Sequence, residues 1–133
     1  MDSQPTEALS DLGWVVFQRT YSRPLPEKGR NETFEEMVER VITACREQLH
    51  CGFSELEEQW LRTYMKELKA LPSGRMLWNL GSREVDTYGQ SQLSSCAFTT
   101  IKSIEDYEWI LQNLLLGVGV GFSVESKYVR QLP

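Results

Sequence analysis

Apolar residues recur along this chain at two periods, and the change of period divides it. From Phe34 onward, Phe34, Met37, Val38, Val41, Ile42, Cys45 and Leu49 fall three or four residues apart. Thr33 and Glu36 stand just ahead at capping-box spacing, so a helix is predicted from residue 34. A second stripe, Trp60, Leu61, Tyr64, Met65 and Leu68, follows Ser54 and Glu57, which repeat the same entry signal, and Pro72 supplies a stop. A connection of about four residues between two such helices predicts an antiparallel helical hairpin.

The pattern changes after Gln90. Ser95 to Ile101 is short, β-branched and aromatic, as a strand requires. Ser103 and Asp106 then open a third helix, with Ile104, Tyr107, Ile110, Leu111, Leu114 and Leu115 on its apolar stripe and Gly117 as its stop. Val118, Val120, Phe122 and Val124 return at strand spacing, alternating with small residues. Strand, helix and strand predict a βαβ unit with parallel strands and a right-handed crossover, hence an α/β fold class behind a mainly helical N-terminal region. Cys96 lies near the start of the first strand. Gly117, Gly119 and Gly121 leave one face of the return segment without side chains, which invites a close approach by a backbone or a ligand.

The other segments are less periodic. Residues 1 to 12 are polar and expected to fray. Gly13 to Tyr21 fits either a buried short strand or the first turn of a helix. Ser22 to Arg30 carries two prolines and a glycine and reads as a loop. Arg19, Arg23, Lys28 and Arg30 cluster there, as a solvated or helix-capping set or as a phosphate site. Leu71 to Ser82 reads as an irregular cover over one end of a domain, and residues 83 to 92 as a polar lead-in to the first strand.

Composition narrows the function. A chain of 133 residues with 41% apolar residues can build a core for one ordinary domain. Its net charge of −5 argues against a nucleic acid or an anionic membrane as main partner. No apolar run nears the roughly 20 residues of a membrane span, and the N-terminus lacks signal-peptide features, so the expected location is cytoplasmic. Three cysteines suit a reducing compartment better than a disulfide framework. Cys45 reads as a small core residue and Cys51 as a loop residue beside His50; the three make a poor zinc site, which wants four ligands in paired short spacings. The glycine run closes a helix where a dinucleotide fingerprint would open one, and there is no phosphate-loop lysine motif. A Ser-His-Asp arrangement has only His50 to draw on.

Together, LSSC (93 to 96) and GVGVGF (117 to 122), with FQRTYSR (17 to 23), GRNETFEEMVERV (29 to 41), LPSGRMLW (71 to 78) and Gly81-Ser82 upstream, resemble the start of ribonucleotide reductases. The similarity is greatest to the adenosylcobalamin-dependent, monomeric-type ribonucleoside-triphosphate reductases, from about residue 14 onward. The resemblance implies residues 1–89 as an N-terminal mainly helical region and residues 90–133 as the first βαβ unit of a ten-stranded α/β barrel, incomplete within this chain. It implies Cys96 as one of the two cysteines that reduce the substrate and end as a disulfide. Ser94 and Ser95 would stand against the substrate ribose or phosphate, and Gly117, Gly119 and Gly121 would line the same barrel mouth.

The same resemblance implies adenosylcobalamin as cofactor of the complete enzyme, a cobalamin-initiated thiyl radical mechanism, a thioredoxin-type reductant and deoxyribonucleotide synthesis as the purpose. The thiyl-forming cysteine, the second reducing cysteine and most of the cobalamin surface would lie beyond residue 133. An inactive fragment, or one chain of a split enzyme completed by a second, is therefore expected. The rival readings are a non-catalytic helical and βαβ binding module, and a segment of a metal-radical ribonucleotide reductase.

Overall fold

The computed structural model describes residues 9–132. The chain forms two compact units, one ending at Ser82 and one beginning at Arg83. It is mixed helix and sheet, with its strands in two separate two-stranded sheets.

In the first unit, the ambiguity over Gly13 to Tyr21 resolves as helix. α1 spans Asp11–Val16 and continues into a turn of π-helix, Phe17–Tyr21. Ser10 caps it, its Oγ accepting from the Gly13 N–H at 3.2 Å. The wider π turn accompanies burial of Phe17, which meets Phe34 edge-on with ring centroids 5.5 Å apart. Ser22 to Arg30 is more than a loop. Pro24–Leu25 (β1) and Arg30–Asn31 (β2) pair antiparallel around a 3₁₀ turn at Pro26–Lys28. Gly29, at φ 63, lets the chain reverse there.

α2 (Phe34–Glu47) follows its predicted start, with the Glu36 carboxylate accepting from the Thr33 N–H at 2.8 Å. Phe34, Met37, Val38, Val41, Ile42 and Ala44 are buried on it, while Cys45 is only half-buried. The stripe is thus rotated slightly toward Ala44. α3 (Glu55–Lys66) departs further from expectation. Met65 is buried, but Trp60 and Tyr64 are 53% and 47% exposed. The face turned to α2 carries charge as well, with Arg62 and Lys66 pairing with Glu39, and Arg46 with the buried Glu58. Nor does Pro72 end α3. The helix ends at Lys66, and Leu68 turns the chain away in the left-handed region (φ 55), where the Leu68 and Lys69 N–H groups close on Met65 and Tyr64 carbonyls at 3.1 and 2.8 Å.

Leu71 to Ser82 is not irregular throughout. Ser73 caps α4 (Gly74–Asn79), its Oγ accepting from the Met76 N–H, and Leu77 and Leu80 are buried. A proline before the cap and a glycine at the first helical position concealed it.

A buried ion pair joins these pieces. Glu32 is 5% exposed, and Arg40 grips its carboxylate with two bonds, Nε to Oε1 at 2.7 Å and Nη2 to Oε2 at 3.1 Å. The same guanidinium donates to the carbonyls of Leu80 at 2.5 Å, Leu77 at 3.2 Å and Tyr21 at 3.4 Å. Arg23 also donates to the Trp78 carbonyl. Gly81 turns away at φ 79, and a Cβ there would lie 2.8 Å from Arg40 Cγ. The side-chain amide of Gln48 then holds Gly81 N–H and Ser82 carbonyl at 2.8 and 3.1 Å. The three upstream motifs meet at this one arginine.

The second unit opens with α5 (Arg83–Tyr88), with Val85 buried, and a 3₁₀ turn at Gln90–Leu93, where the sequence suggested only a polar lead-in. Its centre is β3 (Cys96–Thr100), α6 (Ile104–Leu115) and β4 (Gly119–Ser123). β3 and β4 pair in parallel, with Cys96 opposite Gly119, Phe98 opposite Gly121 and Thr100 opposite Ser123. Asp106 secures the start of α6, accepting from Lys102 N–H at 2.7 Å and Ser103 N–H at 2.9 Å. Those two backbone bonds hold its carboxyl below the usual range. Of the predicted α6 stripe only Ile110 is buried; Ile104 and Leu115 are 74% and 79% exposed. The chain continues into α7 (Ser126–Val129).

Candidate functional site

Alternation along a strand puts Cys96, Phe98 and Thr100 on one face of β3, and parallel register puts Gly119, Gly121 and Ser123 of β4 on that same face. On the opposite face Ala97, Thr99 and Val120 are half-buried and the flanking Ile101 and Val118 are buried, while Phe122 is 48% exposed. Cys96, Phe98, Gly119 and Gly121 are exposed. A crossover helix covers one side of the two strands it connects, and this burial contrast assigns α6 to the Ala97 side. The Cys96 thiol therefore stands on the open side of the parallel pair, beside the side-chain-free positions Gly119 and Gly121.

The three glycines meet three different surroundings. Gly117 ends α6 at φ 80, with Gly117 N–H bonded to the Leu114 carbonyl and Val118 N–H to that of Asn113, both at 2.9 Å. This is the two-bond helix stop that favours glycine. Gly119 donates its N–H to the Ser95 carbonyl at 2.9 Å, and a Cβ on it would sit 3.6 Å from that oxygen. Gly121 lies under Phe98, whose ring would be 3.3 Å from an added Cβ. The bare strip is thus open beside the thiol and roofed by an aromatic ring one register step along.

Ser94 and Ser95 are exposed on the approach to the strand. Ser94 leaves the 3₁₀ turn in extended backbone, and Ser95 joins the ladder through its carbonyl. Ser94, Ser95, Cys96, Gly119 and Gly121 are accordingly gathered at one edge of the β3–β4 pair, and Gly117 marks the entry to it. Sequence reasoning passed over Phe98. Its position two residues after Cys96 on the same strand was the available signal.

Cys45 and Cys51 lie in the first unit. Burial, and next the neighbouring Cys51, push the Cys45 thiol pKa up. Among the described residues no group of three or more His, Cys, Asp or Glu side chains gathers as a metal site. No helix among them is long and apolar enough to cross a membrane.

This arrangement has known counterparts. The chain superposes on the crystal structure of a B12-dependent (class II) ribonucleotide reductase with a TM-score of 0.72 and 31% identity, covering 95% of this chain and 22% of that one. The family profile of the ribonucleotide reductase alpha domain matches residues 1–82, and the chain belongs to that family. Among similar sequences is the adenosylcobalamin-dependent ribonucleoside-triphosphate reductase of Lactobacillus acidophilus, 32% identical over 92% of this chain and 20% of the relative. The enzyme of the same name from Euglena gracilis is 33% identical over 90% of this chain and 19% of its own. The chain spans about a fifth of the length of these relatives.

Proposed function

We propose that these residues form the N-terminal part of an adenosylcobalamin-dependent ribonucleoside-triphosphate reductase and that Cys96 is one of its two reducing thiols. The observation that carries this is an exposed thiol on a parallel strand pair, facing a glycine-lined backbone that a nucleotide can approach. Residues 1–89 form the mainly helical region of this reading and residues 90–133 the start of the catalytic α/β barrel. In the step assigned here, two thiols give two electrons and two protons. The ribose 2′ C–O bond breaks, its oxygen leaves as water, a C–H bond takes its place, and the sulfurs join as a disulfide. A thioredoxin-type dithiol then reduces that disulfide.

Ser94 and Ser95 offer hydroxyl groups for the ribose or phosphate, and Gly117, Gly119 and Gly121 shape the wall. The cofactor, when bound, supplies the radical that starts turnover. Turnover requires the remaining four-fifths of the relatives' length, on the same chain or on a second chain, in the cytoplasm. The test is complementation with the rest of such an enzyme and an assay of ribonucleoside triphosphate reduction. Cys96→Ser is expected to lower multiple turnover by on the order of 10³-fold with a dithiol reductant while leaving nucleotide binding in place. Undiminished turnover by that variant would refute the assignment.

A further inference from the structure

The first unit holds a second pair of sulfurs that the proposed reaction does not use. Cys45 is in the last turn of α2, and Cys51 is in the loop after it. The chain doubles back between them through His50, a non-glycine residue in the left-handed region at φ 53. That reversal brings the Cys51 N–H onto the Cys45 carbonyl at 3.0 Å. With standard bond lengths on either side, such a bond keeps the two α-carbons within about 7 Å. Disulfides join α-carbons up to about 7 Å apart when the Cβ atoms face each other, so this backbone bond meets the distance requirement. Both residues are half-buried, so neither is sealed from a small oxidant. Cys45 also forms part of the wall of an apolar cavity of about 280 Å³, with Phe53 from the same loop and Leu61, Met65 and Met76 around it.

We propose that Cys45 and Cys51 form a reversible intrachain disulfide that ties the end of α2 to its following loop at the rim of this cavity. With glutathione disulfide as oxidant, the Cys51 thiolate attacks one sulfur, forming a mixed disulfide and releasing one glutathione thiolate. Cys45 loses its proton and displaces the second glutathione. Two protein thiols are oxidised and one glutathione disulfide becomes two glutathione thiols. The raised pKa of Cys45 makes it the slower attacker and the resolving partner. The bridge is independent of the reductase reading, because Cys96 is in the other unit.

The test uses the whole chain, fully reduced, exposed to glutathione disulfide, blocked by alkylation and digested with trypsin for mass spectrometry. The expected product links peptide 41–46 to peptide 47–62, forms equally in Cys96→Ser, and disappears on treatment with a dithiol. Cys45→Ser should stop at one stable glutathione on Cys51. Circular dichroism confirms that each variant is folded. Recovery of both peptides unlinked, or linkage only after unfolding in guanidinium, would overturn the proposal.

Discussion

Two helices of similar pattern meet opposite fates in this chain. α2 in the first unit and α6 in the second each carry an apolar stripe, a capping carboxylate and strong helical periodicity. On α2 the stripe is sealed, with Met37 and Val38 at 1% and 0% exposure. On α6 it is open apart from Ile110. The first unit supplies partners from three directions: the π turn, α3 and α4. The second offers two five-residue strands. An apolar stripe therefore specifies that a helix forms and which side seeks cover; whether cover exists depends on neighbours that periodicity does not describe.

The sharpest way to break this contrast is through Arg40. Arg40→Met strands the Glu32 carboxylate at 5% exposure and should cost about 3–5 kcal/mol, seen as an earlier urea midpoint by tryptophan fluorescence. Adding Glu32→Leu should recover part of that loss, since it removes the unpaired buried charge but returns no donor to the Tyr21, Leu77 and Leu80 carbonyls.

Next comes truncation of the stripes themselves. Met37→Ala should cost about 2–5 kcal/mol, whereas Leu115→Ala on α6 should fall within about 0.5 kcal/mol of the parent. Equal effects would mean that α6 is covered after all.

Acid should act more gently, and on both units, since the Asp106 carboxyl at the start of α6 is also held low. The Arg30 and Lys28 partners hold the Glu36 carboxyl well below the carboxylate range. Burial raises the Glu39 pKa, but bonds from Arg62 and Lys66 outweigh it and the net direction is down. A carboxyl lowered in the folded state lends stability above its unfolded value, about 4.3 for glutamate, and that stability fades as pH falls through the folded value. The melting temperature should therefore drop between about pH 5 and pH 2, and 1 M salt should blunt the drop because both pairs are partly exposed.

Legibility followed the physics of each segment. The starts of α2, α3 and α6 were readable because a hydroxyl and a carboxylate three residues apart satisfy backbone N–H groups locally. β3 and β4 were readable from alternation and from the glycine stop at Gly117. α4 and α5 were hidden because each is only six residues long, too short to show a period. The exposure of Trp60 and Tyr64 was hidden because ion pairs, absent from any hydrophobic pattern, share in setting the face α3 turns to α2. At the candidate site, Cys96 and the glycines stood out as residue types. Their common face, and the ring of Phe98 over Gly121, required the register.

The Arg40 cluster also bears on how the protein is made. The guanidinium finds its acceptors at Tyr21, Glu32, Leu77 and Leu80, so the last of them is synthesised well after the first. Until that stretch has emerged from the ribosome, the charge must stay hydrated and α2 cannot settle in its final surroundings. Arg40 can therefore complete its set of acceptors only after Leu80 has been synthesised.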